Sequence, residues 1–351
     1  MKLGGEANKL IILESEKEVE KNYREEVFKG KKCETLIIKS RINEFEKFFK
    51  TNKDPFIVIS GGSNLLIDDK YFNGNIIKID IKGITKTDHK EYTVLEIGAG
   101  EVLDKVINYS VNLNLSGIEA MSKIPGLIGT NVGAYGQDIS QVLISLKAYD
   151  LSTNKIVELS NKDCEFSYRQ SIFKNPKTRK HLILSLKIKL SKKPLKSAPY
   201  KAIEDYLKRN QIEDLSPLSI REAVSKIREE KLPDPLKMPN VGSFYKNPIV
   251  SEATLNRLLS RYENMPYFED SSKNSKTKKY KLAAGWLIDQ AGLKGYSRYG
   301  FMIYPKNALV ITKIKDSANF CDLMKFSKII TKKVKDQFGV ELEIEPEIFN
   351  I

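Results

Sequence analysis

Short apolar runs and amphipathic stretches alternate along the chain, and their periods predict most of its elements. Residues 34–39 (ETLIIK) read as a strand. Residues 41–52 (RINEFEKFFKTN), with Phe45, Phe48 and Phe49 at helical spacing, read as a helix. Residues 55–60 (PFIVIS) form a buried-strand run that ends in Gly61-Gly62, so the three segments make one α/β unit delivering a glycine turn. NIIKID and YTVLEIGAG then read as strands, and EVLDKVINYSVNLN as an amphipathic helix. After a glycine-rich stretch at 125–136, VLISLKAYDL, KIVELS and HLILSLKIKL are again β-like. The first half is therefore α+β with many strands.

Residues 14–32 carry dense charge of both signs and few apolar positions, which predicts an exposed helix or a surface insertion without chemistry. At 191–199 (SKKPLKSAP) Pro and Lys interrupt the pattern, and a domain boundary is expected there, dividing the chain into 1–193 and 194–351. Beyond it, YKAIEDYLKR and SIREAVSKIREE read as helices, the second stopped by LPDP. LAAGWLIDQAGLKG reads as a buried helix ended at Gly292 or Gly295. A strand (NALVIT), a long amphipathic helix (SANFCDLMKFSKIITKKVKDQFG) and a last strand (VELEIEPEI) complete the chain. No internal repeat is evident.

At 351 residues with 41% hydrophobic positions the chain can bury a sizeable core, which rules out disorder throughout. The net charge of +14 would suit nucleic acid or an anionic small substrate. Only ten of the 59 basic residues are Arg, whereas phosphate-reading grooves favour the forked guanidinium, so a nucleic-acid partner is not expected. Cys33, Cys164 and Cys321 are far apart and form no CxxC pair, and His89 and His181 are the two histidines of the chain. Neither a metal site nor a disulfide framework is expected. No apolar run approaches the ~18 residues of a membrane span, and the reading is of a cytoplasmic protein acting as a monomer.

Ser60-Gly61-Gly62-Ser63-Asn64 follows a buried strand, where two glycines let backbone N–H groups converge on an anion. It is neither GxGxxG nor GxxxxGK, and a plain turn is the alternative. IPGLIGTNVGAYG (124–136) exposes backbone over a dozen positions and suits a second phosphate or cofactor cradle, with a structural loop as the alternative. Arg169 stands between apolar residues in FSYRQSIFK and could simply pack on a strand edge. Ser243, in MPNVGSFYKNP, has no nearby His to make it a triad nucleophile. Glu345 and Glu347 near the C-terminus, and Lys231 in KLPDP, would ordinarily be solvated.

Together and in this order, SGGSNLLI, GIEAMSKIPG, NVGAYG, YRQSIFK, KLPDP, GSFYKNP, KLAAGWLIDQAGLKG and EPE resemble the UDP-N-acetylenolpyruvoylglucosamine reductase (MurB) family over residues 56–348. The KSAPY segment and KLPDP resemble its type I branch. The family's Asn-Thr pair ahead of a Gly-Gly is not found before Gly4-Gly5, where Met1-Lys2-Leu3 stands, so the pair is missing or the start is truncated. The resemblance implies an FAD-binding domain of the vanillyl-alcohol-oxidase (PCMH) type, α+β rather than a parallel Rossmann sheet, followed by a MurB-type α+β substrate domain whose last strand returns Glu347 to the flavin site. It implies non-covalent FAD, NADPH as co-substrate, and UDP-N-acetylglucosamine enolpyruvate as the molecule reduced.

By the same resemblance FAD is held by Ser60, Gly61, Gly62, Ser63, Asn64, Pro125, Gly126, Gly129, Thr130, Gly133, Ala134, Tyr135 and Gly136. Arg169 and Glu347 engage the enolpyruvyl carboxylate, Ser243 donates a proton, Tyr200 and Lys231 lie at the nucleotide diphosphate, and Asn247 lies near the substrate. A sugar or alcohol oxidase of the same fold, or a silent nucleotide-binding relative, remains open at this point. FAD, NADPH and a UDP-sugar are all polyanions, so the positive charge would favour encounter with each.

Overall fold

A computed structural model describes residues 7–13, 26–29, 34–40, 54–59, 61–69, 72–130, 138–167, 170–174, 180–270 and 278–349. The chain divides into two compact units, one of Glu6–Gly62 with Phe72–Arg228 and the other containing Ser63–Tyr71 with Glu229–Ile351. The expected helix at 41–52 lies outside the described residues.

The larger unit holds two five-stranded sheets. Strands β1 (Ala7–Leu13), β2 (Glu26–Lys29), β3 (Glu34–Ser40) and β4 (Phe56–Ile59) join β6 (Phe72–Ile79) in the order β2-β3-β1-β6-β4, while β5 (Leu65–Ile67) belongs to the other unit. Pairing is parallel except at the β2–β3 edge. The sequence reading differs here twice. The charged 14–32 segment contributes an edge strand at Glu26–Lys29 rather than only an insertion, since short charged strands suit a sheet edge. The apolar run in ANKLIIL supplies a central strand that the sequence reading did not assign.

The second sheet is antiparallel, built from β7 (Ile84–Asp88), β8 (Tyr92–Gly98), β9 (Leu143–Asp150), β10 (Lys155–Ser160) and β11 (His181–Ser191) in the order β10-β9-β11-β8-β7. Alternation puts Leu182, Leu184, Leu186, Ile188 and Leu190 of β11 and Leu95 and Ile97 of β8 into one core. Leu103, Val106, Ile107 and Val111 from helix Leu103–Asn112 join them there. Each such side chain contributes roughly 1.5–3 kcal/mol on burial.

Helices Lys201–Arg209 and Pro217–Lys231 share a small apolar cluster with Ala120. Those contacts make them part of the larger unit, so the division falls at 228/229 and not at 193/194. The Pro/Lys break at 191–199 ends the sheet without ending the unit.

The smaller unit carries β12 (Ile249–Ser251), β13 (Tyr267–Glu269) and β14 (Lys279–Leu282), then β15 (Ser297–Arg298), β16 (Phe301–Ile303) and β17 (Ile311–Lys313), each group a three-stranded sheet. Helix Phe320–Phe338 opens on a capping box, Asn319 with Asp322, and closes on left-handed Gly339. Its Phe326, Ile330 and Val334 pack with Phe244, Leu287 and Leu66. Leu66 explains why β5 belongs here. Strand β18 (Glu347–Phe349) pairs in parallel with β5.

Candidate active site

The two glycine loops expected to hold a cofactor meet within the larger unit. A Cβ at Gly61 would lie 3.3 Å from the Gly126 Cα, so any side chain there would press the Gly126 loop away by a few tenths of an ångström. Gly62 is left-handed (φ 65°) with nothing within 4 Å of where a Cβ would stand, and Gly126 also has positive φ. The N–H groups of Gly61, Gly62 and Gly126 have no acceptor among the described residues. Adjacent unused amides beside open space make an anion cradle, which fits a pyrophosphate-bearing cofactor.

Gly129 is used differently. Its N–H already donates to Ala99 O at 3.1 Å, and a Cβ would stand 2.7 Å from the Ala99 Cβ, so its glycine serves packing. Thr130 closes the 3-10 turn Ile128–Thr130. Pro125 precedes Gly126 in the cradle loop. Ser60, Gly133, Ala134, Tyr135, Gly136 and Arg169 lie outside the described residues.

Tyr200 is the N-cap residue of helix Lys201–Arg209, and its ring packs half-buried on the small apolar cluster. Burial pushes its hydroxyl pKa up, with the nearby Arg228 guanidinium acting the other way. Arg228 is itself held below the usual guanidinium range by burial, against the attraction of Tyr200 and Asp104. Its Nε is buried with no hydrogen-bond partner among the described residues. A half-buried cation near a tyrosine hydroxyl has the chemistry to receive an oxyanion such as a phosphate. Sequence reasoning singled out Arg169 for the scarcity of Arg but passed over Arg228, whose position in an ordinary amphipathic helix gave no signal.

In the smaller unit the backbone brings Ser243 and Glu347 onto neighbouring segments. Phe244 N–H donates to Leu309 O at 2.8 Å, and Ser243 bridges Val310. On the other side Lys246 N–H donates to Glu343 O at 2.9 Å and Glu345 N–H to Phe244 O at 2.9 Å, with the Lys246 ammonium paired to the Glu343 carboxylate. Pro346 has no N–H to continue that ladder, and the chain changes partner there. Glu347 N–H donates to Asn64 O at 3.0 Å as β18 begins its pairing with β5. Thus the single last strand expected from VELEIEPEI is two short segments, and the change of partner delivers Glu347 beside Asn64, the residue after Ser63.

Ser243 is half-buried, and its hydroxyl has no hydrogen-bond partner among the described residues. Glu347 is exposed. Asn247 has a structural tie, since its Oδ1 accepts from Ala284 N–H at 3.0 Å at the start of helix Ala284–Gln290. This fixes the carboxamide and leaves its Nδ2 to donate elsewhere. Lys231 is exposed at the end of helix Pro217–Lys231.

A model of the FAD binding domain family matches residues 40–160, the stretch that contains both glycine loops. The cradle and this match place the protein among FAD-dependent oxidoreductases. Residues 234–349 match the model described as UDP-N-acetylenolpyruvoylglucosamine reductase, C-terminal domain, which contains Ser243, Asn247 and Glu347. The chain is 35% identical over 304 residues to the UDP-N-acetylenolpyruvoylglucosamine reductase of Shewanella oneidensis, covering 86% of each. It is 37% identical over 307 residues to the enzyme of that name from Blochmanniella pennsylvanica, covering 86% of this chain and 85% of that one. The chain therefore belongs to the UDP-N-acetylenolpyruvoylglucosamine reductase family. The crystal structure of the MurB enzyme from Thermus caldophilus shares its fold, with a TM-score of 0.59 at 18% identity over 90% of this chain and 92% of that one.

Proposed function

We propose that Arg169, Ser243 and Glu347 carry the chemistry of an NADPH-dependent reduction of UDP-N-acetylglucosamine enolpyruvate to UDP-N-acetylmuramate, a step of peptidoglycan precursor synthesis. Bound FAD would supply hydride transfer from NADPH to the terminal carbon of the enolpyruvyl ether. The amides of Gly61, Gly62 and Gly126 are the groups that would hold its pyrophosphate. Hydride addition leaves negative charge on the carbon next to the substrate carboxylate, and the residues act on that charge.

Arg169 supplies a cation to the carboxylate and the enolate-like centre. Ser243 donates its hydroxyl proton to the carbon, and the resulting alkoxide is reprotonated from water. A serine hydroxyl is a weak acid, but a carbanionic centre is a strong base, so the transfer is downhill. The observation that carries this role is that Ser243 is half-buried and its hydroxyl has no hydrogen-bond partner among the described residues. Glu347, delivered by the partner change at Pro346, engages the same end of the substrate. Tyr200, Lys231 and Asn247 bind the UDP-sugar, and Arg228 beside Tyr200 supplies a further cation for the diphosphate.

Among the described residues no helix is long and apolar enough to cross a membrane. We place the enzyme in the cytoplasm, as a monomer. The test of the catalytic assignment is Glu347→Gln, followed anaerobically at the flavin absorbance band. Bleaching by NADPH should be retained, and recovery on adding the enolpyruvyl substrate should slow roughly 10²-fold or more, as for loss of one charge-stabilising group. Recovery at the wild-type rate would remove Glu347 from the mechanism.

A further inference from the structure

The 122–126 segment that leads into Gly126 is held by a partly buried ion pair. Asp104 lies in the first turn of helix Leu103–Asn112. Its Oδ1 accepts from Lys123 N–H at 2.8 Å. Lys123 is left-handed (φ 61°), a conformation that a lysine keeps only when its surroundings impose it. One residue before Asp104, Leu103 N–H donates to Gly126 O at 3.1 Å. The start of one helix therefore grips both ends of Lys123–Gly126.

The grip continues into a second helix. Arg221, from helix Pro217–Lys231, forks onto Asp104, with Nη1 to Oδ1 at 2.8 Å and Nη2 to Oδ2 at 3.0 Å. Nη1 also donates to Ser122 Oγ at 3.0 Å, and that hydroxyl donates to Glu119 O at 2.6 Å. Both charged side chains are largely enclosed, at 14% and 28% exposure. Burial alone would raise the Asp104 carboxyl pKa, but the hydrogen bonds from Arg221 and the Lys123 amide reverse this and hold it below its ordinary value.

A buried ion pair is a weak source of stability, because desolvation of both charges offsets their attraction, and its best-attested use is to fix register. Here the register fixed is that of helix Pro217–Lys231 against the cofactor loop. Seven residues after Arg221 the same helix carries Arg228, beside Tyr200.

We propose that Arg221 and Asp104 are positioning residues for cofactor binding, holding the 122–126 segment so that the Gly126 amide stands beside the Gly61 turn. This rests on the reading of Gly61, Gly62 and Gly126 as the FAD cradle. The hydrogen bonds of both side chains go to each other, to the Lys123 amide and to Ser122, so their loss acts through the loop.

The test is the FAD dissociation constant, measured by flavin fluorescence after removing FAD from purified holoenzyme and titrating it back. Asp104→Asn, which changes no volume, and Arg221→Met, which keeps the packing stem, should each weaken FAD roughly tenfold. Arg221→Lys, which keeps charge without the fork, should fall between wild type and Arg221→Met. The double variant should be no weaker than either single one, because both remove the same contact. If Arg221→Met does not fold, Asp104→Asn and Arg221→Lys decide the question. A purely structural pair would lower the melting temperature and leave the affinity of the folded protein unchanged, and that result overturns the proposal. Gly126→Val in the same titration separates the two readings. If it weakens FAD while Asp104→Asn does not, only the positioning role fails; if it too leaves affinity unchanged, the cradle reading fails with it.

Discussion

Gly62 isolates the backbone requirement of the cradle from steric clash with the protein. Its φ of 65° lies in the left-handed region, and no atom stands within 4 Å of where a Cβ would be. Gly62→Ala therefore meets no neighbour, and its consequence is conformational, about 1–2 kcal/mol for an L-residue held left-handed. Binding holds the loop at the left-handed φ that Gly62 adopts here, while an unbound variant loop is free to relax. The strain then appears in the binding constant as about a 5- to 30-fold weaker FAD complex. Gly62→Val should weaken it further, because a β-branched side chain also fills the open space in front of the amides. Gly61→Ala gives the contrasting case, since its methyl would press on Gly126 Cα at 3.3 Å and push the two loops apart. Flavin fluorescence during titration of deflavinated protein measures all three. Unchanged affinity in Gly62→Val, with flavin stoichiometry intact, would refute the cradle.

The remaining predictions address the substrate side, pH and the core. Lys231→Ala should raise KM for the UDP substrate while reduction of the flavin by NADPH is largely spared, read by separate half-reaction assays; collapse of the NADPH step first would reassign the residue. Burial holds the His181 pKa below its ordinary 6.5, against the attraction of Asp150 and with a small contribution from Lys180. The unfolded chain therefore takes up a proton before the folded one does. The stability His181 contributes is complete above 6.5 and is lost as pH falls through its folded pKa. His181→Gln should flatten that part of a pH series of denaturant midpoints. Phe326, fully buried and stacked on Tyr296 at 6.0 Å, should cost about 3–5 kcal/mol when replaced by Ala, measured by urea unfolding.

The sequence carried the elements whose period was unambiguous. Strand β11 alternates over its whole length, and helix Phe320–Phe338 has both its capping box and its terminal glycine written in the sequence. It carried the two glycine loops as candidates, but not their contact, because the approach of Gly61 to Gly126 is set by the sheets that support them. Strand β1 went unassigned because a central parallel strand has no alternation to display. The boundary shifted from 193 to 228 because Ala120 and Asp104, contacts distant in sequence, bind the two helices to the larger unit. Arg228 was illegible for the same reason, since its desolvation and its nearness to Tyr200 exist only after folding.

The central claim is that Ser243 is the proton donor, and separate anaerobic stopped-flow measurement of the two half-reactions at the flavin band tests it most directly. Loss of a general acid typically slows its step ~10²–10⁴-fold. Ser243→Ala should therefore be reduced by NADPH at near the wild-type rate and then reoxidised by the enolpyruvyl substrate slower by that factor. Ser243→Cys, which keeps a transferable proton, should recover part of the loss. An Ala variant reoxidised by substrate as fast as wild type would contradict the account and leave water or Glu347 as the donor.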